Sequence, residues 1–103
     1  LRYDITVEDI KKELAEGNVV IVPVDGRKLK NPFYTQPGPE RHKILIKGYD
    51  DATQEFITND PGTRRGEGYR YGYAVVERAL ADYLTGKEEL VSQIRSAMIV
   101  VSK

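Results

Sequence analysis

An imidazole held by a carboxylate is an acid–base catalyst in the making: the acid orients the ring, fixes its tautomer and stabilises the imidazolium while the ring moves protons for a nucleophile. The sequence contains one histidine, His42, and the acid best placed to serve it is Asp60. Residues 42–49 alternate in part, with His42, Ile44 and Ile46 on one face and Lys43, Leu45 and Lys47 on the other, and read as a strand that starts at the histidine. Residues 50–53 (Asp50, Asp51, Ala52, Thr53) read as a turn, and 54–58 as a second strand anchored by Phe56 and Ile57, so the pair predicts an antiparallel hairpin. With the turn there, facing positions have numbers summing to roughly 102–104, a condition that 42 and 60 meet. Pro61 restricts Asp60 to extended geometry, which makes it a fixed carboxylate at the strand's end. Asn59 is the alternative orienter, although its side chain should point to the opposite face. Spacing alone leaves a second reading open, a surface or hydrogen-bonded loop histidine beside Pro39 and Arg41.

Composition narrows the chemistry sharply. The 103 residues include no cysteine, which removes disulfides, thiolate metal sites and any mechanism in which a cysteine of this chain is the nucleophile. With one histidine and no cysteine, no zinc site is signalled, and no cofactor is expected. Sixteen basic and sixteen acidic residues cancel, so no global field draws the chain to nucleic acid or anionic lipid. The longest apolar runs, residues 19–22 and 98–101, are far short of the roughly 20 residues of a membrane span. The length is that of one domain. Leu1 is not an initiator methionine and no signal peptide is visible, so the sequence is read as a piece of something longer.

The elements that position the pair follow from patterning. Thr6 precedes Val7, Ile10 and Leu14 at helical spacing, with Asp9 in the first turn and Gly17 past the end, predicting a short amphipathic helix. The β-branched run Val19, Val20, Ile21, Val22 predicts a strand over residues 18–24, buried on both faces and closed by Pro23, Asp25 and Gly26. Residues 26–41, with Pro32, Pro37, Gly38 and Pro39, lose all periodicity and read as a long loop that delivers the chain to His42. Residues 63–68 are polar and mobile in character, and Tyr69, Tyr71 and Tyr73 form an aromatic run. Val76, Ala79, Leu80, Tyr83 and Leu84 then predict a second helix stopping near Gly86, and residues 97–101 a last strand. The class is α+β, with one helix near each end and a mainly antiparallel sheet.

The stretches VVIVPVDGRKL, GPERHKILIKGYDD and EFITNDPGTRRGEGYRY resemble the C-terminal part of papain-like cysteine peptidases of the bacteriocin-processing, C39-like kind. The resemblance runs from about residue 18 to residue 84. In that family a His opening an apolar strand that ends in Gly-Tyr is the general base, and an Asp-Pro after the next strand supplies the orienting acid; His42 and Asp60–Pro61 match. The resemblance implies a papain-like half with a peptide or protein substrate, and residues 26–41, with Tyr34, Gly38 and Arg41, beside the substrate cleft. It also implies a cysteine at a helix start, commonly before Gly-Pro, with an upstream Gln; neither occurs ahead of His42. The expectation is therefore the C-terminal part of a peptidase domain whose nucleophile-bearing N-terminal segment is missing, inactive alone, or else a non-catalytic peptide- or protein-binding module.

Other residues carry less. Arg64, Arg65 and Arg70 near the tyrosines have the types of an anion or single-stranded nucleic-acid surface, but zero net charge favours a solvated loop and packed rings. Asp25, Asp50 and Asp51 lack EF-hand spacing and read as turn residues. Ser92, Ser96 and Ser102 lack a nucleophile elbow, and Gly66 and Gly68 do not form a dinucleotide fingerprint.

Overall fold

Period-3.6 and period-2 segments alternate along the chain, and the computed structural model resolves them into an α+β arrangement. It describes residues 2–3, 5–29, 31–32, 42–80 and 97–102. Five antiparallel strands form the body of the sheet, and the two-residue β1 (Arg2–Tyr3) extends it to six in the spatial order β1, β6 (Ala97–Ser102), β2 (Asn18–Val24), β3 (His42–Asp50), β4 (Glu55–Asn59), β5 (Glu67–Gly72).

Helix α1 (Val7–Ala15) starts where predicted, because Thr6 and Asp9 form a capping box: Thr6 N–H donates to Asp9 Oδ2 at 2.9 Å and Asp9 N–H to Thr6 Oγ1 at 3.3 Å. It ends at Glu16, and Gly17 takes the positive φ of 90° that a side chain would strain. Its apolar stripe buries Ile10 completely, with Val7 and Leu14 packed against the core.

Strand β2 (Asn18–Val24) has the expected bounds, but it buries one face only. Val20, Val22 and Val24 enter the core, while Val19, Ile21 and Pro23 stay half-buried on the far side with Leu45. Pro23 is tolerated because β2 pairs with β6 (Ala97–Ser102) only as far as Ile21. The core is Val20, Val22, Val24, Ile44, Ile46, Phe56, Tyr71 and Met98 from the sheet against Ile10, Leu29, Val76 and Ala79 from the helices.

Three features differ from the sequence reading. Residues 26–29, expected to be loop, form the one-turn helix α2 (Gly26–Leu29), which buries Leu29. The tyrosine run is a strand, β5 (Glu67–Gly72), so the expected hairpin of β3 (His42–Asp50) and β4 (Glu55–Asn59) is a three-stranded meander. Helix α3 (Tyr73–Ala79) stops short of the apolar spacing that pointed to residue 84. Leu80 turns extended (φ −58°, ψ 129°) and bridges Val24, while the Ala79 carbonyl accepts Asp25 N–H at 2.8 Å, so backbone pairing to the end of β2 overrides helical periodicity. Tyr83, Leu84 and Gly86 lie outside the described residues. Among the described residues no helix is long and apolar enough to cross a membrane.

A clasp joins the two halves of the core face. Lys11 Nζ sits 2.8 Å from Asp51 Oδ1 and over the rings of Tyr49 and Tyr73, and Tyr73 Oη donates to Asp51 at 2.7 Å. This ties α1 to the β3–β4 turn and to the start of α3, whose Tyr73 N–H also donates to the Gln54 carbonyl at 2.9 Å.

Candidate functional site

Three chain ends meet at one corner of the sheet. Val24, the last residue of β2, pairs with His42, the first of β3, so the chain leaving β2 into α2 passes beside the histidine. Asp60 follows the last residue of β4 on the same corner.

The register shows how the pair meets. Leu45 faces Asn59 and Ile46 faces Thr58, after which a bulge at Lys47 shifts the pairing to Gly48–Ile57 and Tyr49–Phe56. Extended to the open end, this register sets Asp60 across from Ile44 rather than His42. Asp60 is the diagonal neighbour of the histidine on the same face, within reach of a long side chain. His42 Nε2 lies 2.6 Å from Asp60 Oδ1, with the two side chains 10% and 0% exposed. An ionised carboxylate only accepts hydrogen bonds, so Nε2 carries the proton and donates it, which leaves Nδ1 as the nitrogen able to take up a further proton.

A carboxylate removed from water needs donors, and Asp60 has them. Gly62 N–H donates to Oδ1 at 2.8 Å in an Asx turn through Pro61, and Tyr71 Oη donates to Oδ2 at 2.5 Å. The Tyr71 hydroxyl in turn accepts from Asn31 Nδ2 at 2.9 Å, and Tyr71 and Asn31 are 3% and 1% exposed. Tyr71 stood out in the sequence only as one of an aromatic run, and Asn31 not at all. Asn31 is 40 positions from Tyr71, with no local signal to link them, whereas the alternation of Tyr69 and Tyr71 was a strand signal that would have placed Tyr71 on the inner face.

The polar stretch after Asp60 is also built in. Asp60 N–H donates to the Gly66 carbonyl at 3.0 Å and Gly66 N–H to the Thr63 carbonyl at 3.2 Å, closing a tight loop. Gly66 is buried against the Asp60 backbone, so close that a Cβ there would sit 1.8 Å from the Asp60 carbonyl oxygen. Thr58, fully buried, donates to the Tyr69 carbonyl at 2.7 Å and locks β4 to β5 one step from the acid.

Asn59 is not brought to the histidine. It shares the opposite face with Leu45, and its Oδ1 accepts Gly68 N–H at 3.1 Å. On that face a depression of about 510 Å³ runs over Ile21, Lys43, Leu45 and Glu67 to the edge formed by Asp60 and Pro61; His42 does not line it. Tyr34, Gly38 and Arg41 lie outside the described residues. Among the described residues no group of three potential metal ligands occurs. Asp25 is held by Arg27 (Oδ2 to Nη2, 2.8 Å), whose guanidinium keeps its carboxyl below the usual range, and Arg70 pairs with Asp50 at 3.1 Å and Glu55 at 3.6 Å.

The model of the Peptidase_C39 like family matches residues 2–89 of this sequence. The chain belongs to that family. It is a peptidase-related, cysteine-peptidase-like domain, and the match takes in every described residue of the His42 corner. No curated protein matches this C39-like domain.

Proposed function

We propose that this C39-like domain is the base-bearing portion of a papain-like cysteine peptidase, with His42 as general base and acid and Asp60 as its orienter. The nucleophilic thiol then comes from chain outside these 103 residues, which hold no cysteine. The observation that carries the reading is the 2.6 Å contact of His42 Nε2 with a fully buried Asp60 carboxylate, in a chain of a peptidase-related family.

With Nε2 donating to Asp60, Nδ1 takes the thiol proton as the sulfur attacks the peptide carbonyl carbon. The same proton passes to the leaving amine as the C–N bond breaks, and a thioester remains. Water then attacks the thioester, Nδ1 accepts its proton and returns it to the departing sulfur. Asp60 stays ionised throughout, offsetting the imidazolium that forms in each half-reaction. The substrate is a peptide or protein segment, and Tyr34, Gly38 and Arg41 are assigned to its binding.

Denaturing mass spectrometry of the natural protein after thiol alkylation tests this. A polypeptide carrying one modified cysteine is expected, either continuous with this sequence or purifying with it. A preparation that cleaves peptides and contains no alkylatable thiol would overturn the reading. The absence of cysteine also favours a second reading, a binding module that keeps the His–Asp corner as structure. An intact natural protein with neither thiol nor turnover selects it.

A further inference from the structure

The Asp60 carboxylate has two oxygens, and His42 uses one of them. The other accepts the Tyr71 hydroxyl at 2.5 Å, and that hydroxyl accepts Asn31 Nδ2 at 2.9 Å. A phenol has one proton to give. An amide N–H aimed at the Tyr71 oxygen occupies a lone pair and leaves the proton directed to Asp60. The chain of donors therefore runs one way, from Asn31 through Tyr71 to Asp60, and ends on the carboxylate that holds His42. All three donor and acceptor side chains are nearly inaccessible to water, so solvent does not readily replace a lost link.

We propose that Tyr71 and Asn31 are positioning residues for the His42 imidazole, acting through Asp60. This rests on the reading of Asp60 as the orienting acid and adds two residues to it, from β5 and from the segment just after α2. Tyr71 pins the carboxylate plane so that Oδ1 faces Nε2, and it favours the ionised form that an imidazolium requires. Asn31 sets the direction of the Tyr71 proton. A purely structural role predicts that altering either residue lowers stability and leaves the ring of His42 as it was.

The test is imidazole NMR of the ¹⁵N-labelled 103-residue protein, whose single histidine makes the ring signals unambiguous. In the unaltered protein the Nε2–H proton is expected far downfield and slow to exchange. Tyr71→Phe removes the donor to Oδ2. Asn31→Asp keeps Tyr71 and the side-chain shape but puts an acceptor where the donor was, so the hydroxyl proton turns away from Asp60. Both are expected to speed Nε2–H exchange by about 10- to 100-fold, the range expected for a lost hydrogen bond to a charged group, and to move the proton upfield. Thr58→Val, which deletes the neighbouring bond to the Tyr69 carbonyl, is the control and should leave the signal in place while lowering stability.

If Tyr71→Phe and Asn31→Asp behave like Thr58→Val, the relay is refuted. Should either variant fail to fold, the other still reports through the same proton. Absence of the downfield signal in the unaltered protein overturns the relay together with the His42–Asp60 contact beneath it. Because the readout is a ring proton and not turnover, a relay that is present in a protein without peptidase activity sinks only the functional reading.

Discussion

Replacing Gly66 with alanine should move Asp60, and the size of the effect can be worked from the geometry. The new Cβ would lie 1.8 Å from the Asp60 carbonyl oxygen and 2.7 Å from its carbonyl carbon, where ordinary contact begins at 3.4 Å. Both neighbours are backbone atoms, so no side chain can swing aside, and the two strands of the loop must part by about 1.6 Å. Overpacking of this kind costs about 1–3 kcal/mol, and loss of the 3.0 Å Asp60 N–H to Gly66 carbonyl bond adds about 1 kcal/mol. The expected total is about 2–4 kcal/mol, or a fall in Tm of roughly 8–30 °C for a domain of this size. Gly68→Ala is the matched control, since Gly68 has a φ of 69° with nothing within 4 Å of a Cβ and so carries backbone strain alone, about 1 kcal/mol. Urea unfolding of both variants, with the His42 ring proton followed in the folded state, measures the difference. Gly66→Ala no less stable than Gly68→Ala, with the ring proton unmoved, would refute the claim that this close approach holds the acid in place.

Further outcomes follow from other corners of the fold. Gln54 holds a φ of 57° in the β3–β4 turn, so Gln54→Gly should raise stability by about 0.5–1 kcal/mol through relief of left-handed strain, read as a higher urea midpoint at constant slope. Truncating the fully buried Phe56 to alanine should cost about 3–5 kcal/mol, against a total stability of about 5–15 kcal/mol for a domain; chemical denaturation gives the number. Hydrogen bonds from Arg27, Arg70 and Lys11 hold the carboxyls of Asp25, Asp50 and Asp51 below their ordinary value of 3.8. The unfolded chain therefore binds more protons in acid, and stability should be complete above that value and drain away as pH falls below it. At the other end, burial first and then the Asp51 carboxylate push the Tyr73 hydroxyl well above its ordinary value of 10.0, so its contribution is present below pH 10 and is lost as pH rises further. Thermal unfolding from acid to alkaline pH checks both limbs.

Local chemistry made much of this molecule legible, and long-range pairing accounts for what was not. Thr6, Asp9 and Gly17 mark α1 because capping acts within a turn or two of chain, and the β-branched run of β2 announces itself in the same way. The meeting of His42 and Asp60 was readable because a hairpin converts sequence numbers into positions. The turn pairs Asp50 with Glu55 and the bulge at Lys47 shifts the register by one, so Asp60 shares the face of His42 and meets it diagonally rather than directly across. Tyr71 was visible as an aromatic, but its strand was hidden by flanking glycines and arginines, and its link to Asn31 spans 40 residues that no periodicity connects. The end of α3 failed for a related reason: the apolar spacing continues, while the Asp25 and Val24 backbone captures the chain at Ala79 and Leu80. Gly66 looked like loop punctuation, and only the folded backbone shows that it has no room for a side chain.

The proposed role of His42, steered by Asp60, is activation of a thiol. Its most direct test is the rate at which a peptidyl thiol-directed electrophile labels the natural protein, compared with the same protein carrying His42→Ala or Asp60→Asn. Loss of a general base should slow labelling by about 10²- to 10⁴-fold, with Asp60→Asn slowed in the same direction. Labelling at an unchanged rate in His42→Ala, with the fold intact, would contradict the claim.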